Sequence, residues 1–140
     1  MIINYKNASI INSNEFCIHD DYKCDLHFDW ASGDLVFRCQ KFTTQDFYEM
    51  KFHDVVDISF SNCDFWGGSR RIDCMVCLEN DEQILLPKIK RKYAEVGMDG
   101  ELVLAEHFEL LIAFVSGDTL RVVCKSVDVD DLTTRSDWRK

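Results

Sequence analysis

The chain has 140 residues, of which 46% are hydrophobic, and its 25 acidic against 16 basic side chains give a net charge of −9. This length and composition are typical of a single globular domain and exclude a low-complexity or disordered chain. The acidic balance argues against binding to nucleic acid or to an anionic membrane surface, because both depend on Lys and Arg side chains. It permits a basic protein partner, and it also keeps a small protein soluble.

The chain has seven cysteines, an odd number, and its first residues lack the apolar core of a signal peptide. No apolar run approaches the roughly 18 residues of a membrane-spanning helix. We therefore expect a cytoplasmic protein with reduced thiols. Cys74 and Cys77 have the spacing of a zinc knuckle or a redox pair, but they fall in an alternating stretch, where residues three apart face opposite sides of a strand. The pattern predicts buried structural thiols, with neither a metal nor a cofactor.

The first third of the chain predicts one long β-hairpin. Residues 1–14 are weakly patterned, although Ile10 and Ile11 suit a short edge strand. A Ser-Gly-Asp tripeptide at residues 32–34 lies between two apolar, alternating runs, and its Gly admits the positive φ that a tight turn needs. Alternation assigns one set of side chains to the core: Leu26, Phe28, Trp30, Leu35, Phe37 and Cys39.

The middle of the chain predicts two further strands. Residues 43–48 are ambiguous between one helical turn and a loop. Residues 52–60 alternate again and predict a strand. Asp54 interrupts the apolar set of this strand, so the strand begins at or after Asp54, or a bulge lies there. The next alternating stretch covers residues 72–78.

One short helix is predicted from Pro87, a residue that suits the first turn of a helix. Ile89, Tyr93 and Val96 share a helical face, and Gly97 can end the helix. Residues 101–105, which follow a short loop, suit a short strand.

The Ser-Gly-Asp tripeptide recurs at residues 116–118, within a second predicted hairpin that runs from residue 107 to residue 129. About seven or eight strands and one short helix predict a mainly-β fold, which is an antiparallel β-sandwich or a half-open barrel. We expect a single domain over residues 1–140, with weakly patterned ends at residues 1–14 and 130–140.

His19 and Asp20 form a polar doublet before the first hairpin. Such a pair can ligate a divalent metal, or the Asp can orient an imidazole base. A structural role, in which His19 bonds backbone at the start of the hairpin, is favoured because no helices supply further ligands. His53 and Asp54 repeat the doublet before another strand, which suits a structural use. No Gly-x-Ser-x-Gly elbow is present, so we predict no catalytic residues and no enzyme.

Two acidic segments are candidates for partner binding. Trp66 follows Asp64 and precedes two glycines, which indicates a loop tip. An exposed Trp there would anchor an interface, and the alternative is a Trp that covers the open end of the sandwich. The acidic run near the last predicted strand favours a solvated or partner-facing edge over a calcium site, because a glycine-bearing calcium loop is missing. The candidate partner-binding residues are Asp64, Trp66, Asp128, Asp130 and Asp131.

The order of these features resembles the small β-rich immunity-protein families of bacterial polymorphic toxin systems. The likeness covers roughly residues 16–129. It is carried by the His19-Asp20 doublet, the hairpin of residues 26–39, the strand of residues 52–60 leading to residues 65–67, and the turn at residues 116–118. The resemblance implies a stoichiometric binder of a toxin domain, without catalysis. Many such toxins are nucleases with basic clefts, which the acidity of this chain would suit.

The sequence therefore favours a non-catalytic cytoplasmic binding protein, of the immunity type, that inhibits a basic toxin domain. The alternative is a small-molecule-binding or accessory β-module with a pocket lined by inward-facing aromatic side chains. An enzyme built around His19 and Asp20 is the least favoured reading.

Overall fold

Nine antiparallel strands make up most of the computed structural model, which describes residues 1–13, 22–41, 46–61 and 71–131. The strands are β1 (Ile2–Asn4), β2 (Tyr22–Asp29), β3 (Asp34–Lys41), β4 (Phe47–His53), β5 (Asp57–Ser61), β6 (Arg71–Cys77), β7 (Phe108–Phe114), β8 (Thr119–Cys124) and β9 (Ser126–Asp131). A 3-10 helix spans Ala8–Asn12, and the helices α1 (Leu85–Glu95) and α2 (Gly100–Val103) lie between β6 and β7.

The strands follow the hydrogen-bonded order β1-β9-β4-β3-β2-β6-β7-β8-β5. This order divides between β2 and β6, because those two strands share only the pairs Tyr22 with Ile72 and Lys23 with Arg71. We call the two parts the five-stranded sheet (β1, β9, β4, β3, β2) and the four-stranded sheet (β6, β7, β8, β5). The two sheets enclose one core, so the predicted mainly-β, antiparallel sandwich is confirmed.

A bent two-stranded ribbon connects the sheets at a second place. Here β4 leads into β5 and β8 leads into β9, so that each chain segment passes from one sheet to the other. The backbone N–H of Lys125 donates to the carbonyl of His53 (3.1 Å), and that of Val56 donates to the carbonyl of Val123 (3.0 Å). Asp54 has a φ of +53° between these bonds. The interruption predicted at Asp54 is therefore confirmed as the corner of the ribbon.

The core contains side chains from both sheets, and it includes Leu35, Phe37 and Cys39 of the inward set predicted for the first hairpin. Phe37 of β3 and Phe52 of β4 are fully buried, and their rings meet edge to face with centroids 5.7 Å apart. Full burial of a side chain of this kind contributes about 1.5–3 kcal/mol. The other fully buried apolar side chains of this core are Ile3, Leu35, Cys39, Met50, Ile72, Leu110, Ile112, Leu120, Val122, Cys124 and Val127.

Both Ser-Gly-Asp segments form the predicted hairpin turns. Gly33 has a φ of +75° and Gly117 has a φ of +92°, a conformation that side chains with a Cβ rarely adopt. In the first turn the N–H of Gly33 donates to the carbonyl of Asp29 (2.8 Å). In the second, the N–H of Phe114 donates to the carbonyl of Asp118 (2.9 Å). The tripeptide thus fixes which strand residues lie opposite each other.

Three short segments differ from prediction. The strand expected at Ile10 and Ile11 is wrong, because these residues lie in the 3-10 helix. The strand expected over residues 101–105 is also wrong: Asp99 accepts hydrogen bonds from the N–H groups of Glu101 and Leu102 and caps α2. Phe47 begins β4 within the segment that was ambiguous between a turn and a loop. In short segments like these, apolar spacing alone does not separate helix from strand.

Helix α1 covers the outer side of the four-stranded sheet. Its residues Leu85, Leu86 and Ile89 pack with Val123 of β8, and Leu104 completes this smaller cluster. Tyr93 joins the cluster in part, so two of the three predicted face residues are confirmed. Val96, the third, is exposed because it lies beyond the last helical residue. Gly97 ends the helix as predicted, with a φ of +79°. No helix in the described ranges is long and apolar enough to cross a membrane.

The N-terminus of α1 is capped by Glu109, which comes from β7. Ile84 at the N-cap position has no capping side chain of its own. The carboxylate of Glu109, whose exposure is 0%, accepts hydrogen bonds from the N–H groups of Leu86 (2.8 Å) and Ile84 (3.2 Å). It also accepts a hydrogen bond from Arg121 Nη1 at 2.9 Å. Helix N-termini favour negative charge, so the N-terminus of α1 and the Arg121 cation together stabilise the buried carboxylate of Glu109.

The substitution Glu109→Gln is expected to lower the free energy of unfolding by about 2–4 kcal/mol. The amide keeps the shape of the side chain but leaves Arg121 without its anion and weakens the cap of α1. Urea unfolding of both proteins measures the difference. Lys51→Gln, which removes an exposed partner of Glu49 (3.7 Å), is the control and should change stability by less than about 1 kcal/mol. Equal effects of the two substitutions would contradict this role of Glu109.

Candidate functional site

The residues predicted for function fall into two groups. His19, Asp20, Asp64 and Trp66 lie outside the described residues. Asp128, Asp130 and Asp131 lie at the end of β9.

Strand β9 carries two of its three acids on the side that faces away from the core. Asp128 and Asp130 flank buried Val129 and point the same way, as predicted. Asp131 is exposed and has the opposite parity. The expectation of an edge strand is wrong, since β9 lies between β1 and β4. The sequence does not contain the signal for this position, because it depends on which distant strands pair with β9.

The outer side of the five-stranded sheet collects charges from four neighbouring strands. In register across the sheet, Asp25 lies beside Arg38, Arg38 beside Glu49, and Glu49 beside Asp130. Arg38 Nε donates to Glu49 Oε2 at 3.0 Å. Both α-helices lie on the other sheet, where α1 contacts β8, β5 and β7. We call this surface the charged face and define it by four acids and two bases: Asp25, Arg38, Glu49, Lys51, Asp128 and Asp130.

Trp30 lies at the tip of the first hairpin, and its side chain is 88% exposed. The prediction that it faces the core is wrong. Strand β2 ends at Asp29, so Trp30 is the first residue of the turn and the alternation stops before it. Leu26 is also exposed, because β2 pairs with β6 only near its beginning and the rest of the hairpin is less covered. The Trp30 ring meets the half-buried ring of Phe28 edge to face, with centroids 4.8 Å apart.

Two carboxylates stand at the base of this turn. The backbone N–H of Ala31 and the hydroxyl of Ser32 hold the pKa of Asp29 below its usual range, so Asp29 is ionised at neutral pH. Asp34 pairs with His53, whose Nδ1 lies 3.0 Å from Asp34 Oδ1. The exposed indole is therefore accompanied by negative charge. In the sequence, Trp30 lies directly before the predicted turn, and this position indicates an exposed side chain at the tip of the hairpin.

A half-open cleft of ≈ 390 Å³ lies at the corner of the bent ribbon. We call it the corner cleft; its polar lining includes Asn4, Tyr5, Lys6, Asp54, Glu106 and Lys125. Lys125 Nζ lies 3.5 Å from Glu106 Oε2. His53 and Asp54 are adjacent in sequence but have different surroundings. His53 pairs with Asp34, whereas Asp54 lines the cleft.

His107 lies beside the corner cleft. Its Nδ1 atom is buried and has no hydrogen-bond partner among the described residues. Burial lowers the pKa of this imidazole, and Lys125 lowers it further, while Asp54 and Glu106 act in the opposite direction. The ring is therefore neutral at neutral pH, and one of its nitrogen atoms lacks a protein partner.

Cys39 and Cys124 are buried as predicted, whereas Cys74 and Cys77 are only partly buried, so the prediction of buried thiols is wrong for this pair. Cys77 packs against the core, whereas Cys74 pairs in register with outward-facing Ala113 and so lies on the opposite side of β6. Burial, together with the nearby charge of Glu79, raises the pKa of the Cys77 thiol to about 11. Burial also raises the pKa of Cys124. Protonated thiols are poor metal ligands and poor nucleophiles.

Three exposed carboxylates in the loop between β6 and α1 have oxygen atoms within 4.8 Å of one another. They belong to Glu79, Asp81 and Glu82. Such solvated groups commonly occur together without an ion.

The sequence matches no model of a known protein family, and no curated protein is significantly similar to it. The features of the molecule that bear on function are therefore the charged face, Trp30 and the corner cleft.

The substitution Trp30→Ala is expected to change the free energy of unfolding by less than about 1 kcal/mol, because the indole is exposed. Phe37→Ala, in the core of the same hairpin, should cost about 3–5 kcal/mol. Thermal and urea unfolding measure both. A large loss of stability in the Trp30 variant would show that the indole is buried against another part of the chain.

The pKa of His107 predicts a pH effect on stability. The pKa of this imidazole in the folded chain is lower than its usual value of 6.5, so the unfolded chain binds the proton more readily. The neutral ring thus contributes stability that is complete above pH 6.5 and is lost as the pH falls below it. Between about pH 7.5 and 5.5 the wild type should lose more unfolding free energy than His107→Gln. Parallel pH profiles of the two proteins would contradict this.

Proposed function

We propose that this chain is a non-catalytic protein-binding module, which holds a basic partner through the tip of the first hairpin and the charged face. The observation that carries the proposal is Trp30, which is 88% exposed. A solvated indole has a large apolar surface that is released from water only in a complex. Trp is among the residues that most often dominate the energy of protein interfaces. The edge contact with Phe28 limits the orientations of the ring, so less entropy is lost on binding.

The charges around Trp30 indicate the chemistry of the partner. Asp29 and Asp34 lie at the two ends of the turn, and the charged face has four acids against two bases. A net charge of −9 extends this field over the whole molecule. Fields of this kind raise the rate of association with a basic surface. The partner we propose is therefore a protein with a basic surface that surrounds an apolar pocket for the indole.

The particular form we propose is a cytoplasmic, immunity-type inhibitor that binds one basic toxin domain in a one-to-one complex. The order of sequence motifs and the acidity support this form. Of the acids expected to contact the partner, Asp128 and Asp130 belong to the charged face.

The alternative, a ligand pocket lined by inward aromatic side chains, has less support. Phe37 and Phe52 pack against each other and are fully buried, so they fill the space between the sheets.

The test compares capture of a partner by four tagged proteins: the wild type, Trp30→Ala, the double variant Asp128→Asn with Asp130→Asn, and Leu102→Ala. Leu102 is the matched control, because it is 74% exposed but lies on α2, away from the charged face. Calorimetry with the purified partner then gives the affinity and the stoichiometry.

Trp30→Ala is expected to weaken binding at least about tenfold, and Leu102→Ala should leave it unchanged. The double Asp variant should slow association and reduce the dependence of the rate on salt. A partner that binds Trp30→Ala as tightly as the wild type would exclude the hairpin tip as the interface. If the partner has an acidic binding surface, the proposed attraction between the negative charge of this chain and a basic partner is excluded.

A further inference from the structure

We propose that the corner cleft binds a small zwitterionic ligand, a free amino acid or the end of a short peptide. The site is separate from the interface proposed above and does not depend on it.

The charges that line the cleft are only partly paired with one another. Lys125 and Glu106 already form an ion pair with each other, 3.5 Å apart. Asp54 and Lys6 form no ion pair with any residue in the described ranges, and Lys6 Nζ lies 5.9 Å from the centre of the Tyr5 ring. One carboxylate and one ammonium group thus remain available in the same cleft. A ligand that carries both an ammonium and a carboxylate group satisfies both.

The backbone of Asp54 adopts an uncommon conformation at the cleft. Its φ of +53° is the only positive φ of a non-glycine residue in the part of the chain that the structure describes. This conformation costs free energy that Gly would not, and such strain is concentrated at functional sites. Gly would form the same bend at lower cost in free energy. The presence of Asp at this corner instead places an ionisable side chain at the cleft.

The size and lining of the cleft select the class of ligand. Its ≈ 390 Å³ lies at the small end of the range for ligand pockets and admits a molecule of amino-acid or dipeptide size. Tyr5 and Ile2 are exposed at its margin and offer apolar contact to a side chain of the ligand. Asp54 would receive the ammonium group of the ligand, and Lys6 its carboxylate.

The experiment is calorimetric titration of the full chain with single L-amino acids and dipeptides, at up to about 10 mM. Propylamine and propionate, which each carry only one of the two charges, are the analogues. At least one zwitterion should bind, and each analogue should bind at least about tenfold more weakly. Tighter binding of a dipeptide would identify a peptide end as the source, and tighter binding of the free amino acid would identify the metabolite. No heat change with any zwitterion overturns the proposal.

Three variants test the residues. Asp54→Asn keeps a side chain that tolerates positive φ and removes the charge, and Lys6→Gln removes the cation. Each should weaken binding at least about tenfold, whereas Asp81→Asn, an exposed acid before α1, should not change it. Asp54→Gly relieves the backbone strain and gives a second test if the Asn variant is unstable. Binding that survives in Asp54→Asn or Asp54→Gly excludes the carboxylate and overturns the proposal.

Discussion

The buried carboxylate of Glu109 holds the helical layer of the molecule against the four-stranded sheet. Removal of an acid from water is costly, and the cost is offset here by two backbone N–H groups at the start of α1 and by Arg121. The arrangement fixes where α1 begins, and the cluster around Val123 then follows from the apolar face of the helix. Within the described ranges both helices lie on the side of this sheet, and the outer side of the five-stranded sheet carries charged side chains.

Much of the framework could be read from the sequence, because its information is local. Period-two alternation and the Ser-Gly-Asp turns identified both hairpins and most of their core residues. The role of Glu109 could not be read in this way. In the sequence it is one polar residue between Phe108 and Leu110, and it is buried only because the start of α1, more than twenty residues earlier, folds over it. Strand β1 was missed and the start of β4 was left ambiguous for a related reason. Whether a short segment forms a strand depends on strands that are distant in the sequence and pair with it.

The candidate surfaces were predictable only in part. The parity of Asp128 and Asp130 is a local property and was correct. The position of β9 inside the sheet is a global property and was not. Trp30 was assigned to the core because the alternation was continued one residue too far. The corner cleft is assembled from chain segments around Lys6, Asp54, Glu106 and Lys125, and in the sequence its only trace was the interruption at Asp54.

The position of β9 between β1 and β4 has a consequence for the synthesis of the chain. Strand β9 pairs with β1 on one side and with β4 on the other, and the amino group of Met1 donates to the carbonyl of Val129, 128 positions away in sequence. Contacts this distant form late and slow the folding of β-proteins. While the chain emerges from the ribosome, β1 and the edge of β4 that pairs with β9 therefore remain unpaired until nearly all of the described chain has been made.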